Sequence, residues 1–134
     1  MEPNKSLGLL SIARKAGKIE LGEAPVLASA KLGKARLIVL ASDAGEAICK
    51  KAALLTDGTK RPCLTVPVTK AALGGAMGYS PTAVAAFTDA ALAASFVRTL
   101  EPAAQYAALL EALEARAARF QKRAGTKKHK PTKH

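Results

Sequence analysis

The chain has 134 residues, enough for one domain and a tail, and at that length roughly two thirds of the unfolded surface can be buried without disulfide or metal staples. Hydrophobic residues make up 49%, but 30 are Ala and only 4% of the chain is aromatic, so the core is built from Leu, Val, Ile and Ala. The formal net charge is +11. No apolar run approaches the ~20 residues of a membrane span, and the opening MEPNKSLGLL lacks the pattern of a secretory leader, so a cytoplasmic protein with no membrane partner is expected. Cys49 and Cys63 have no CxxC spacing, and His129 and His134 sit among polar residues near the C-terminus, which argues against a zinc site and a Ser-His-Asp triad. No cofactor is expected.

In chain order, Leu7, Leu10, Ile12 and Ala13 fall at helical spacing in a first helix that stops at Gly17, with Arg14 and Lys15 in its last turn. Lys18 to Leu21 reads as a short strand. Gly22 then opens a second helix, with Glu23 and Pro25 suited to its first turn and Gly33 ending it. Leu37-Ile38-Val39-Leu40 shows no polar alternation and reads as a central strand covered on both faces. Ser42 or Asp43 caps a third helix reaching about Leu55, Asp57-Gly58 turns the chain, and CLTVPV gives another strand. Thr69 caps the short Gly-rich helix TKAALGGAMG, TAVAAFT is the last strand, and Asp89 caps ALAASFVRTL. The alternation predicts an α/β domain over residues 1–100, with a four-stranded sheet and helices on both faces. From Pro102 the spacing of Tyr106, Leu110, Leu113, Ala117 and Phe120 predicts an amphipathic helix over 101–124. That helix packs on its own domain or, alternatively, makes the chain an interaction module that dimerises or docks a partner through 102–123. Residues 125–134 offer nothing apolar to bury and read as a disordered basic tail.

The charge is unevenly spread. Residues 1–114 hold 13 Lys and Arg against all 10 Asp and Glu, whereas residues 115–134 hold the other eight cations, Lys127, Lys128 and Lys130 among them, and no acid. Such an arm either keeps a protein soluble or attracts polyanions by counterion release, which makes nucleic acid the first candidate partner. In the domain, Lys15, Lys18, Lys31, Lys34 and Arg36 are read as surrounding the strand-to-helix junction at Gly22, so that a helix N-terminus sits in the most basic part of the folded body. The glycines of LGGAMG do not make a phosphate loop, since no Lys-Ser or Lys-Thr follows, and Ser42-Asp43-Ala44-Gly45 reads as a helix cap rather than a ligand site. Cys49 and Cys63 read as small buried hydrophobes, with Cys49 the better candidate for a perturbed thiol because Lys50 and Lys51 follow it. Carboxylates are scattered singly, which argues against general acid-base catalysis.

The segments LGLLSIARKAGKIELGEAPV, ARLIVLASDAG and VPVTKAALGGAMGYSPTAVAAFTD, in that order over about residues 4 to 97, resemble the L7Ae-like ribosomal protein family, particularly its small bacterial members. The resemblance implies a three-layer α-β-α sandwich around a four-stranded mixed sheet. It also implies a non-catalytic, kink-turn RNA-binding module of translation, found in ribonucleoprotein. In that family the RNA lies over two loops, matching Gly22, Glu23, Ala24 and Pro25 here and Gly78, Tyr79, Ser80 and Pro81 before the last strand. The polar pair that typically follows the junction glycine is replaced by Ala24 and Pro25, and a basic residue one turn later by Ala28. The RNA-contacting set expected here is therefore Lys15, Lys18, Lys31, both loops, and Lys127, Lys128 and Lys130 of the arm.

Overall fold

Residues 3–56, 62–100 and 103–129 are described by the computed structural model. Helix α1 (Pro3–Lys15) leads into strand β1 (Ile19–Leu21), α2 (Glu23–Lys31), β2 (Leu37–Leu40), α3 (Glu46–Thr56), β3 (Cys63–Thr65), α4 (Lys70–Ala76), β4 (Val84–Phe87) and α5 (Ala90–Val97). The glycine stops work as backbone devices. Gly17 takes φ 69°, its N–H donates to the Arg14 carbonyl at 3.1 Å, and the Lys18 N–H donates to the Ala13 carbonyl at 2.9 Å. That bond pair satisfies the carbonyls a helix end leaves open, and it recurs at Gly33 after α2 and at Gly78 after α4. Two expected caps also form: Thr69 Oγ1 accepts from the Ala72 N–H at 3.2 Å, and the Asp89 carboxylate accepts from the Leu92 N–H at 2.9 Å.

Asp43 departs from the expectation. Helix α3 begins only at Glu46, and the Asp43 carboxylate instead accepts the backbone N–H of Lys70 at 2.7 Å. It caps α4 across the fold, because the bond from Ala44 N–H to the Ala41 carbonyl turns the chain before a helix can start.

The sheet order is β1-β4-β2-β3, with β4 antiparallel to both neighbours and β2 parallel to β3. All four residues of β2 and of β4 are buried, and their alternation feeds two cores. Leu37, Val39, Ala85 and Phe87 pack with Leu10 of α1, Leu73 of α4 and Phe96 of α5. Ile38, Leu40, Val84 and Ala86 pack with Val26 and Ala30 of α2 and Ala52 of α3. This is the expected three-layer α-β-α sandwich on a mixed four-stranded sheet. Phe87 and Phe96, their ring centroids 5.3 Å apart and tilted by 43°, anchor the first core; such pairs are worth about 0.5–1.5 kcal/mol beyond burial.

After a 3-10 turn at Ala103–Tyr106, helix α6 (Ala107–His129) lies against α5. Leu113 is 1% exposed in the first core, Tyr106, Leu109 and Leu110 pack on that core, and Arg98 pairs with Glu114. The seam is therefore used within the chain at Leu113, the residue on which docking of a partner through this helix would also depend. The helix also passes Gly125, where the tail was expected to begin. A lone Gly costs a helix only about 1 kcal/mol and does not end it. Residues 130–134, with Lys130, lie outside the described residues. Among the described residues no helix is long and apolar enough to cross a membrane.

Because Leu113 is sealed against α5, the Leu113→Ala variant should lose about 2–5 kcal/mol of unfolding free energy in urea titration. A change below about 0.5 kcal/mol, the range of a surface substitution, would show that α6 is not docked.

Candidate nucleic-acid interface

Strand β4 decides which turns meet. At its entrance the Gly22 N–H donates to the Val84 carbonyl at 2.9 Å, and from the other side the Ala41 N–H donates to the Ala83 carbonyl at 2.9 Å. The mouth of α2, the exit of β2 and the end of the 78–83 loop are thus held at one end of the sheet. Gly22 is the N-cap of α2 with φ 92°, and no side chain caps this helix. Its first-turn N–H groups, which a helix cannot satisfy internally, are open to an anionic ligand. Glu23 pairs with Lys51 of α3 at 3.2 Å, both side chains being about half exposed; an exposed pair of this kind is worth about 0–1 kcal/mol, so Glu23 is readily released.

The second loop runs back along α4. The Tyr79 N–H donates to the Gly74 carbonyl at 2.9 Å, and the Thr82 N–H donates to the Lys70 carbonyl at 3.0 Å. Thr82 Oγ1 donates to the Ser80 carbonyl at 2.9 Å. Gly74 makes this close approach possible, because a Cβ there would stand 2.0 Å from the Ser80 carbonyl oxygen. The loop is therefore divided: Pro81 and Thr82 return to the first turn of α4, beside the mouth of α2, while Tyr79 stays at the last turn. There the Arg14 guanidinium of α1 lies 5.6 Å from the Tyr79 ring centroid, and the residue remains 51% exposed. That is cation–π distance, with ring surface left for a ligand.

The basic residues expected around Gly22 are not there. The Thr88 N–H donates to the Lys18 carbonyl at 2.9 Å, which puts Lys18 at the exit of β4 while Gly22 is at its entrance. At ~3.3 Å per residue the two are about 13 Å apart along β1. Lys31 closes α2, about 12 Å from the mouth at 1.5 Å per residue, and Lys34 and Arg36 follow it. Lys15 ends α1 just before Lys18. Adjacency in sequence suggested one cluster, but an antiparallel strand and a helix each carry their ends to opposite sides. The structure unites Gly22, Glu23, Ala24 and Pro25 with Pro81 and separates them from Lys15, Lys18 and Lys31. Lys127 and Lys128 lie on the last turn of α6. Arg14, Lys51 and Lys70 are site neighbours outside the RNA-contacting set expected from the sequence. Their contacts join residues far apart in the chain, and nothing in local spacing signals them.

Other chemistry in the domain is sparse. Cys49 and Cys63 are half-buried beside the second core, and burial, with Cys49 nearby, pushes the Cys63 thiol up from 9.0 to about 11, which makes it a poor nucleophile at neutral pH. Among the described residues no group of His, Cys, Asp and Glu is placed to hold a metal.

Comparison with known proteins accords with this geometry. The model of the ribosomal protein L7Ae/L30e/S12e/Gadd45 family matches residues 4–97. The chain belongs to that family. Among solved structures, a protein with unknown function from Bacillus halodurans C is 31% identical, with a TM-score of 0.62 over 69% of this chain and 96% of its own. The Giardia lamblia 15.5kD RNA binding protein is 27% identical, with a TM-score of 0.62 over 84% of this chain and 91% of its own. No curated protein sequence matches the chain. The L7Ae family match ends at the last residue of α5.

The neighbouring glycines of α4 give opposite predictions. Gly74→Ala must displace the Ser80 backbone and should cost about 1–3 kcal/mol. Gly75→Ala, with nothing within 4 Å of its Cβ position, should stabilise by about 0.5–1 kcal/mol through helix propensity. Denaturant unfolding of the two variants checks this, and equal effects would mean that the loop does not lie on α4 as described.

Proposed function

We propose that this protein is a non-catalytic, cytoplasmic, ribosome-associated RNA-binding protein that takes structured, kink-turn type RNA across the paired turns Gly22–Pro25 and Gly78–Pro81. The observation that carries this reading is the bond from the Gly22 N–H to the Val84 carbonyl, which holds the Gly22 turn beside the Pro81–Thr82 end of the second loop, while Tyr79 lies farther along α4 beside Arg14. Family membership and the similarity to an RNA-binding protein of Giardia lamblia support the class of ligand.

In this reading the uncapped first turn of α2 donates backbone N–H groups to phosphates, and Glu23, released from Lys51, accepts from an exposed base edge. Ala24 and Pro25 have no polar side-chain atoms, so discrimination falls more heavily on backbone contacts and on the Tyr79 ring, which takes an unstacked base. Lys127, Lys128 and Lys130 add attraction that is blind to sequence.

The test is a binding titration of a kink-turn duplex against the same duplex with its G·A pairs made Watson-Crick, at two salt concentrations. The kink-turn should bind at least about tenfold tighter, a difference of ~1.4 kcal/mol. Truncation after Gly125 should flatten the salt slope by up to about 0.9 per cation removed while leaving that preference intact. Equal affinities for the two duplexes would overturn kink-turn recognition, and loss of preference on truncation would overturn the role given to the two turns.

A further inference from the structure

The cations displaced from the paired turns form a surface of their own. Phe87 lies between Ile19 of β1 and Leu37 of β2, so Lys18 and Arg36, which precede those residues, flank the exit of β4. Two interstrand spacings, about 10 Å, separate their strands. The Arg36 N–H donates to the Phe87 carbonyl at 2.7 Å, and its guanidinium donates to the Gly33 carbonyl at 2.8 Å, which draws the end of α2 onto the start of β2. Lys31 and Lys34 are thereby fixed at the same end, where Lys15 also ends α1. Lys15, Lys18, Lys31 and Lys34 are exposed.

Stabilisation of helix ends does not account for this many cations. The C-termini of α1 and α2 contribute about −0.5 charge each, and the N-terminus of α5, at the same end, about +0.5. Of the nearby acids, Asp89 is occupied in capping α5, and Glu20 lies one position inside β1. The surplus remains strongly positive. Like charges about a Debye length apart repel, and an anionic partner relieves that cost. Leu32, 69% exposed, stands among the lysines.

We propose that this end of the sheet is a second RNA contact, which grips the minor groove of an outlying duplex arm of the RNA held at the paired turns. An A-form minor groove is wide and shallow, with phosphates flanking a floor of ribose, and lysines on either side of an exposed leucine fit that relief. The inference rests on the RNA-binding reading but not on its kink-turn preference.

The test uses the full chain, its Lys18→Gln/Lys31→Gln/Lys34→Gln variant, and two RNAs: a minimal kink-turn, and the same kink-turn with both arms lengthened by more than a helical turn. These exposed lysines leave the fold intact, which an unchanged thermal transition verifies. Hydroxyl-radical footprinting of the long RNA should show two separate protected tracts with the wild-type chain and one with the variant. The variant should flatten the salt slope by about 0.9 per neutralised lysine for the long RNA and leave the minimal RNA's affinity within about twofold. A single wild-type tract, two tracts retained by the variant, or the same loss for both RNAs would overturn the second contact. Failure of the RNA-binding reading is a different result, namely no binding of either RNA by the wild-type chain.

Discussion

The structure depends on β4 having a partner on each side. Backbone bonds from β1 and β2 converge on a four-residue strand whose side chains are all buried. The same ladder that seals the two cores runs on to fix the loops at its ends. An exposed loop bond contributes little alone, but these continue a buried sheet, where leaving a donor or acceptor unpaired costs about 1–3 kcal/mol. The positions of Gly22 and Pro81 therefore follow from core packing. A recognition surface made this way is preformed, and ligand binding need not supply its ordering entropy.

The ladder also distributes the charge. At the entrance of β4 the positive character comes mainly from backbone, the N-termini of α2, α3 and α4, with Lys51 and Lys70 beside them, partly offset by Glu23, Asp43 and Glu46. At its exit it comes from side chains. Short polar groups and N–H donors suit a ligand that must be placed accurately, whereas flexible lysines suit a diffuse anionic surface. The two ends differ in chemistry as well as position, which is why each is assigned a different part of the same RNA.

Much of the fold was legible in the sequence because its determinants are local. Thr69 and Asp89 cap the helices they precede, Gly17 and Gly33 stop helices where a left-handed residue is needed, and the run at Leu37 buries on both faces. Asp43 misled because it has the residue type of a local cap but serves α4, a choice made by tertiary contact. The basic cluster misleads for a related reason: residues a few positions apart in sequence are not neighbours in space where a strand or helix separates their ends by more than about 10 Å. The Glu23–Lys51 and Arg14–Tyr79 contacts depend on how α3 and α1 pack and leave no periodic trace. Gly74 carried a signal, a glycine inside a short helix, but which backbone approaches it is set by tertiary packing. The extension of α6 beyond Gly125 shows that a glycine without an αL turn is a weak stop.

The central claim, that the turn at the entrance of β4 and the loop running back along α4 engage one ligand together, is tested most directly by backbone amide chemical shifts of the full chain titrated with a minimal kink-turn RNA. The account predicts that the amides of Gly22, Glu23 and Ala24 move together with those of Tyr79, Ser80 and Thr82, with one shared dissociation constant. Shifts confined to one turn, or fitted by different constants in the two, would contradict it.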